Sequence, residues 1–167
     1  MSGRPTGAPA VVATDERDGG AVREEPVDLD RWRALAERVL DGEGVDGPAE
    51  LNLVFVDEAR MGALNTTYMG EAGPTDVLSF PLDPDPEPET GAGAAGTLRL
   101  LGDVVICPAV AARNAVAPGG YDAELALLVV HGVLHVLGMD HATPEETTAM
   151  VARERRHLAS IGMERRP

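Results

Sequence analysis

The sequence predicts an α+β domain with a small β-sheet, and three observations predict it. Amphipathic and apolar segments follow one another in the order helix, strand, helix, strand, strand, helices. One run, DAELALLVVHGVLHVL, is apolar on nearly every side, which marks a helix buried in a core. The composition, 44% hydrophobic and 25% charged, is that of a globular chain rather than a disordered one. At 167 residues there is room for one domain with its own core and too little for two. Aromatic residues make up only 3%, so that core must be built from Leu, Val, Ala and Met.

Residues 1–26 are rich in Gly, Pro, Ala and charge without periodicity, and read as a disordered tail ahead of a single domain at 27–162. Leu29, Trp32, Leu35, Ala36, Val39 and Leu40 recur at helical spacing, with Arg31, Arg33, Glu37 and Arg38 on the wet face. DGEGVDGP stops that helix. Leu51 to Val56 reads as a strand, and Asp57 as the N-cap of a short helix reaching Asn65. After the turn GEAGPT, Asp76 to Phe80 reads as a second strand. DPDPEPETGAGAAG, residues 83–96, reads as a surface loop between strands. Thr97 to Cys107 follows as strand, with Gly102 as a bulge position, and then a short helix from Pro108 to Val116. The apolar run from Asp122 to Leu137 falls short of the roughly 20 apolar residues a membrane span requires. Thr143-Pro144 opens a last amphipathic helix reaching Ile161, and residues 163–167 read as a C-terminal tail.

Charge and cysteine content narrow the setting. Twenty-eight acidic residues against fourteen basic ones, all of them Arg, give a net charge of −14. Such a chain repels polyanions at long range, which argues against a general nucleic-acid binder while leaving a local basic groove open. Cys107 is the only cysteine, so no internal disulfide can form. With no apolar N-terminal run resembling an export signal, the expected setting is the reducing cytoplasm.

The chemistry concentrates in His131-Gly-Val-Leu-His135-Val-Leu-Gly138-Met-Asp140-His141. Residues i and i+4 share a helix face about 5–6 Å apart at Cβ, so His131 and His135 can grip one ion. Gly138 stands where the helix should end, and the returning chain can deliver His141 to the same point. A lone buried His is more often a hydrogen-bonded core residue, and a pair can be coincidence. A third after a glycine stop turns the reading to metal. Three imidazoles with an open position describe a catalytic zinc site; a structural one closes with a fourth protein ligand. Such an ion lowers the pKa of its water to about 7. Asp140 reads either as the acceptor for a ligand imidazole N–H or as the cap of the turn. His157 lies apart and reads as structural. Arg153, Arg155, Arg156, Arg165 and Arg166 read as a solvated face balanced by Glu145, Glu146 and Glu154, ahead of the alternative of an RNA-binding patch.

The spacing resembles the metzincin motif HExxHxxGxxH, but Gly132 stands at the general-base Glu, and glycine can neither accept nor donate that proton. The full pattern HGxLHxxGxDH is similar to the YbeY family of rRNA-maturation endoribonucleases. So are Pro74-Thr-Asp-Val-Leu-Ser-Phe-Pro81, Leu101-Gly-Asp-Val-Val-Ile106, Leu64-Asn65 and Tyr68, in order from about residue 50 to 160. The resemblance implies a zincin-like fold with a small mixed sheet packed with helices and the metal-binding helix in the core. It also implies one zinc ion on His131, His135 and His141. The activity implied is a single-strand-specific endoribonuclease in 16S rRNA 3′-end maturation and small-subunit quality control, with rRNA and the small ribosomal subunit as partners. One position departs: many members carry an Arg after the Tyr, and here it is Met69, which cannot make charge-assisted contacts to a phosphate. Arg99 is a candidate replacement, and an ordinary loop residue is the plainer account of Met69. Two rival readings are a zinc-stabilised ribosome-assembly factor without strong nuclease activity and a metallopeptidase-like hydrolase.

Overall fold

A computed structural model describes residues 7–19, 24–82, 98–116 and 119–165. In chain order the elements are β1 (Ala10–Asp15), α1 (Leu29–Gly42), β2 (Ala49–Phe55), α2 (Glu58–Met69), β3 (Val77–Pro81), β4 (Arg99–Ile106), α3 (Pro108–Asn114), α4 (Gly120–Val136) and α5 (Pro144–Ala159). Asp57 caps its helix as the sequence predicts, and Thr143 proves to be a second cap. Asp57 accepts the Arg60 N–H at the start of α2, and Thr143 accepts the Glu146 N–H at the start of α5. The buried residues of α1 are the apolar positions picked out by helical spacing: Trp32, Leu35, Ala36, Val39 and Leu40.

The sheet runs β1-β2-β4-β3. β1, β2 and β4 are parallel, and β3 pairs antiparallel with β4 along the far edge, so the small sheet is mixed. Glu50 pairs with Leu100 and Leu51 with Gly102, which leaves Leu101 as the extra residue of a bulge. Gly102 sits at φ +142°, and a Cβ there would lie 2.4 Å from the Phe80 carbonyl oxygen. Only glycine fits, as the bulge reading of this position expected. α4 packs on β3 and β4 and against α1 and α5. Its buried residues, among them Leu125, Leu128, Val129, Val133 and Leu134, form the centre of the main core. No helix among the described residues is long and apolar enough to cross a membrane.

The N-terminal segment overturns the reading of residues 1–26 as a disordered tail. Ala10–Asp15 is the edge strand, paired with β2 from Ala10↔Glu50 to Asp15↔Phe55. Val11 is only 4% exposed. Gly, Pro and charge around a six-residue strand dominate any local window, whereas the strand is chosen by its partner some forty residues on. Arg17 is buried behind it, donating from Nε (2.9 Å) and Nη2 (2.8 Å) to the Asp15 carboxylate and from Nη1 to the Glu25 carbonyl (2.8 Å). Burial pushes the Asp15 carboxyl up, but the Arg17 hydrogen bonds and charge outweigh it and hold it below its ordinary value. That contribution is present at neutral pH and is lost as pH falls below the usual carboxylate range. The loop reading of 83–96 lies outside the described residues, as do positions 166 and 167.

A chain beginning at Asp18 should therefore be measurably less stable, as no tail removal would make it. Val11 burial alone contributes about 1.5–3 kcal/mol, and a domain of this size loses about 2–4 °C in Tm per kcal/mol. Thermal unfolding should fall by about 5 °C or more. An unchanged Tm would return these residues to a dispensable tail.

Candidate metal centre

Helix α4 carries His131 and His135 one turn apart, at the end where the helix stops. The stop is a Schellman arrangement: Gly138, at φ +100°, donates to the His135 carbonyl, and Met139 donates to Leu134, both at 3.0 Å. The chain then reverses, and His141 is held by its own backbone. Asp140 Oδ1 accepts the His141 N–H at 2.7 Å, and the Thr147 hydroxyl donates to the His141 carbonyl at 3.1 Å.

The result is one cluster. Each of the three imidazoles offers a nitrogen, and these lie within 4.8 Å of one another. Ring centroids are 4.6 Å apart for His131 and His135, 4.9 Å for His135 and His141, and 5.5 Å for His131 and His141. His131 and His135 are half-buried and His141 is exposed, so the cluster opens to solvent on the His141 side. Burial, with His131 and His141 close by, lowers the His135 pKa and favours the neutral form that ligates metal. The donor set fits a metal ion: three neutral nitrogens suit zinc and its neighbours, whereas magnesium and calcium take oxygen.

Gly132 has a structural cause. A Cβ there would stand 2.4 Å from Val104 Cγ1 of β4, and the Ser79 hydroxyl of β3 donates to the Gly132 carbonyl at 3.0 Å. The helix thus presses directly on the sheet at the position beside His131.

The other singled-out residues separate. Asp140 caps the turn through the His141 backbone. Asp103 accepts from Asn52 Nδ2 at 2.9 Å across the strands. His157 is buried away from the cluster, 2.6 Å from Glu43 Oε2, and Arg153 bonds the same carboxylate. Tyr68 is 63% exposed and Met69 48% exposed. Tyr68 meets Phe80 edge-on at 5.3 Å, beside a cleft of about 400 Å³ that includes Arg60, Leu64 and Asp103. Arg99 stands exposed at the start of β4.

Glu154 corrects the reading of a solvated face. It is 1% exposed, with Oε1 3.5 Å from His131 Nδ1 and Oε2 accepting from Arg165 Nε at 3.2 Å. Burial pushes its carboxyl up, but the His131 and Arg165 contacts outweigh this and hold it below the ordinary value. A signal was present in the sequence: Met150, Glu154, His157 and Leu158 share one stripe of the amphipathic helix, and that stripe is the buried one.

Together, fold and cluster define a mixed α/β protein with a three-histidine centre able to hold a metal ion. The chain belongs to the endoribonuclease YbeY family, whose model matches residues 21–162. It is 51% identical over 138 residues to the endoribonuclease YbeY of Salinispora tropica, covering 80% of this chain and 88% of that protein. Against the endoribonuclease YbeY of Thermobifida fusca it is 46% identical over 136 residues, covering 80% and 86%. A Thermotoga maritima protein solved in solution shares the fold, with a TM-score of 0.53 at 23% identity over 90% of this chain and 91% of the other.

Proposed function

We propose that this chain is a zinc-dependent, single-strand-specific endoribonuclease of zincin-like fold. Its place is in 16S rRNA 3′-end maturation and small-subunit quality control in the cytoplasm, with rRNA and the small ribosomal subunit as partners. The observation that carries the reading is the three-imidazole cluster beside a glycine. His131, His135 and His141 would hold the ion, and Gly132 leaves no carboxylate at the peptidase base position. When bound, zinc supplies Lewis-acid polarisation of a phosphoryl oxygen and activation of water. His141 sits on the open side of the cluster, where a substrate strand gains access. Tyr68 offers an exposed ring on which an unpaired base can stack.

The net charge of −14 favours a second reading, an assembly factor that holds zinc but cleaves little. One assay separates the two and the peptidase. A small-subunit rRNA precursor and casein are each incubated with the protein, with and without chelator. The nuclease reading expects RNA cleavage that chelator abolishes and casein left intact. Metal-loaded protein that binds particles without cutting RNA would favour the assembly factor, and chelator-sensitive casein cleavage the peptidase.

A further inference from the structure

We propose that Glu154 and Arg165 are positioning residues of the metal centre. The buried Glu154 carboxylate orients His131, and Arg165, from the C-terminal segment, holds that carboxylate in place. The inference rests on reading the three histidines as a metal site.

Packing gives no reason for a glutamate at position 154. It lies on α5 between Met150 and Leu158, both buried, where an apolar side chain of similar volume would fill the space. Removing a carboxylate from water costs several kcal/mol unless partners offset it. Two partners are present, one at each carboxylate oxygen. Oε2 accepts from Arg165 Nε at 3.2 Å, while Oε1 faces His131 Nδ1 at 3.5 Å, long for a hydrogen bond but directed at the ring nitrogen. With Nδ1 turned to the carboxylate, Nε2 of His131 is the nitrogen left to ligate. A metal-bound imidazole that donates its other N–H to a carboxylate has its tautomer and ring orientation fixed and its basicity raised. Arg165 Nε donates to Oε2 and so fixes the carboxylate in its buried place. Residues 163–165 are therefore not a passive tail: through Arg165 and Glu154 they reach His131 of the metal centre.

The test uses the full chain as wild type, Glu154→Gln, Arg165→Met and the double variant. Zinc affinity is read by competition with a chromophoric chelator, the ligand field by cobalt absorption, and folding by thermal unfolding of the metal-free proteins. Glu154→Gln should bind zinc about tenfold more weakly, the lower end of what losing such a partner costs, and should alter the cobalt spectrum. Arg165→Met should show a smaller loss that vanishes in the Glu154→Gln background, because it acts only through that carboxylate. Wild-type affinity and spectrum in both single variants would overturn the positioning role while leaving the metal centre intact. A fall in metal-free Tm with unchanged affinity would make Glu154 purely structural. If Glu154→Gln does not fold, Arg165→Met decides alone, since its side chain lies near the surface; unchanged zinc affinity there overturns the proposal. A wild-type protein that binds no zinc would instead remove the metal reading on which it rests.

Discussion

Replacing His135 by alanine is expected to empty the metal centre: from about one ion per chain to near none, with RNA cleavage reduced by more than about 100-fold. Losing a partner of a ligand typically costs 10–100-fold in affinity or activity, so losing a ligand itself should cost more. The fold should survive. Alanine is the strongest helix former, and His135 is half-buried near the end of α4 rather than at its packed middle. Far-UV circular dichroism should therefore match the parent while elemental analysis does not. His131→Ala and His141→Ala should behave alike, because the nitrogens of all three converge within 4.8 Å. His157→Ala is the control. It is buried against Glu43 and is not one of the three clustered imidazoles, so it should lose stability and keep its metal. Full metal occupancy in His135→Ala would sink the site.

What the sequence made legible, and what it did not, divides by range. The helices, the cap at Asp57, the helix start at Pro144 and the bulge at Gly102 were readable because local chemistry dictates them: a carboxylate on free N–H groups, a ring already set to the helical angle, or a backbone angle only glycine adopts without strain. The three-histidine cluster was readable because one helix turn and one glycine stop bring its members together within eleven positions. β1 was not, since six residues of ordinary composition become a strand only by pairing with β2. Glu154 was missed although it lies on the Met150, His157 and Leu158 stripe of its helix. Glutamate on an amphipathic helix is usually solvated, and only the distant packing of α5 on α4 buries this one beside His131. Gly132 lay in between. Glycine costs about 1 kcal/mol inside a helix, so the residue asks for a cause, but only the fold shows the close approach of β4.

That close approach yields the second large expected effect, which also tests why this chain is not built as a peptidase. Gly132→Glu, which restores the metzincin residue, should fail to give a stable protein. The new Cβ would stand 2.4 Å from Val104 Cγ1, far inside the roughly 3.5–4.0 Å at which carbons pack, with Cγ2 at 3.3 Å and Cβ at 3.4 Å also tight. Val104 cannot swing clear. It is β-branched and stiff at χ1, fully buried, and flanked in the sheet by Leu53 and Ser79. Ser79 in turn ties β3 to the Gly132 carbonyl. Overpacking of this kind costs about 1–3 kcal/mol, and an unpaired buried carboxylate adds several more. The sum approaches the whole stability of a domain, about 5–15 kcal/mol. Gly132→Ala should be milder, since the gain of about 1 kcal/mol in helix propensity offsets part of the crowding. Its loss should shrink in a Val104→Ala background, where the methyls that crowd it are gone. Denaturant unfolding of the two single variants and the pair should give a favourable coupling of about 1 kcal/mol or more. Strict additivity, or a Gly132→Glu protein that unfolds at the parental temperature, would mean that α4 and β4 can separate. The glycine would then reflect the reaction rather than the packing.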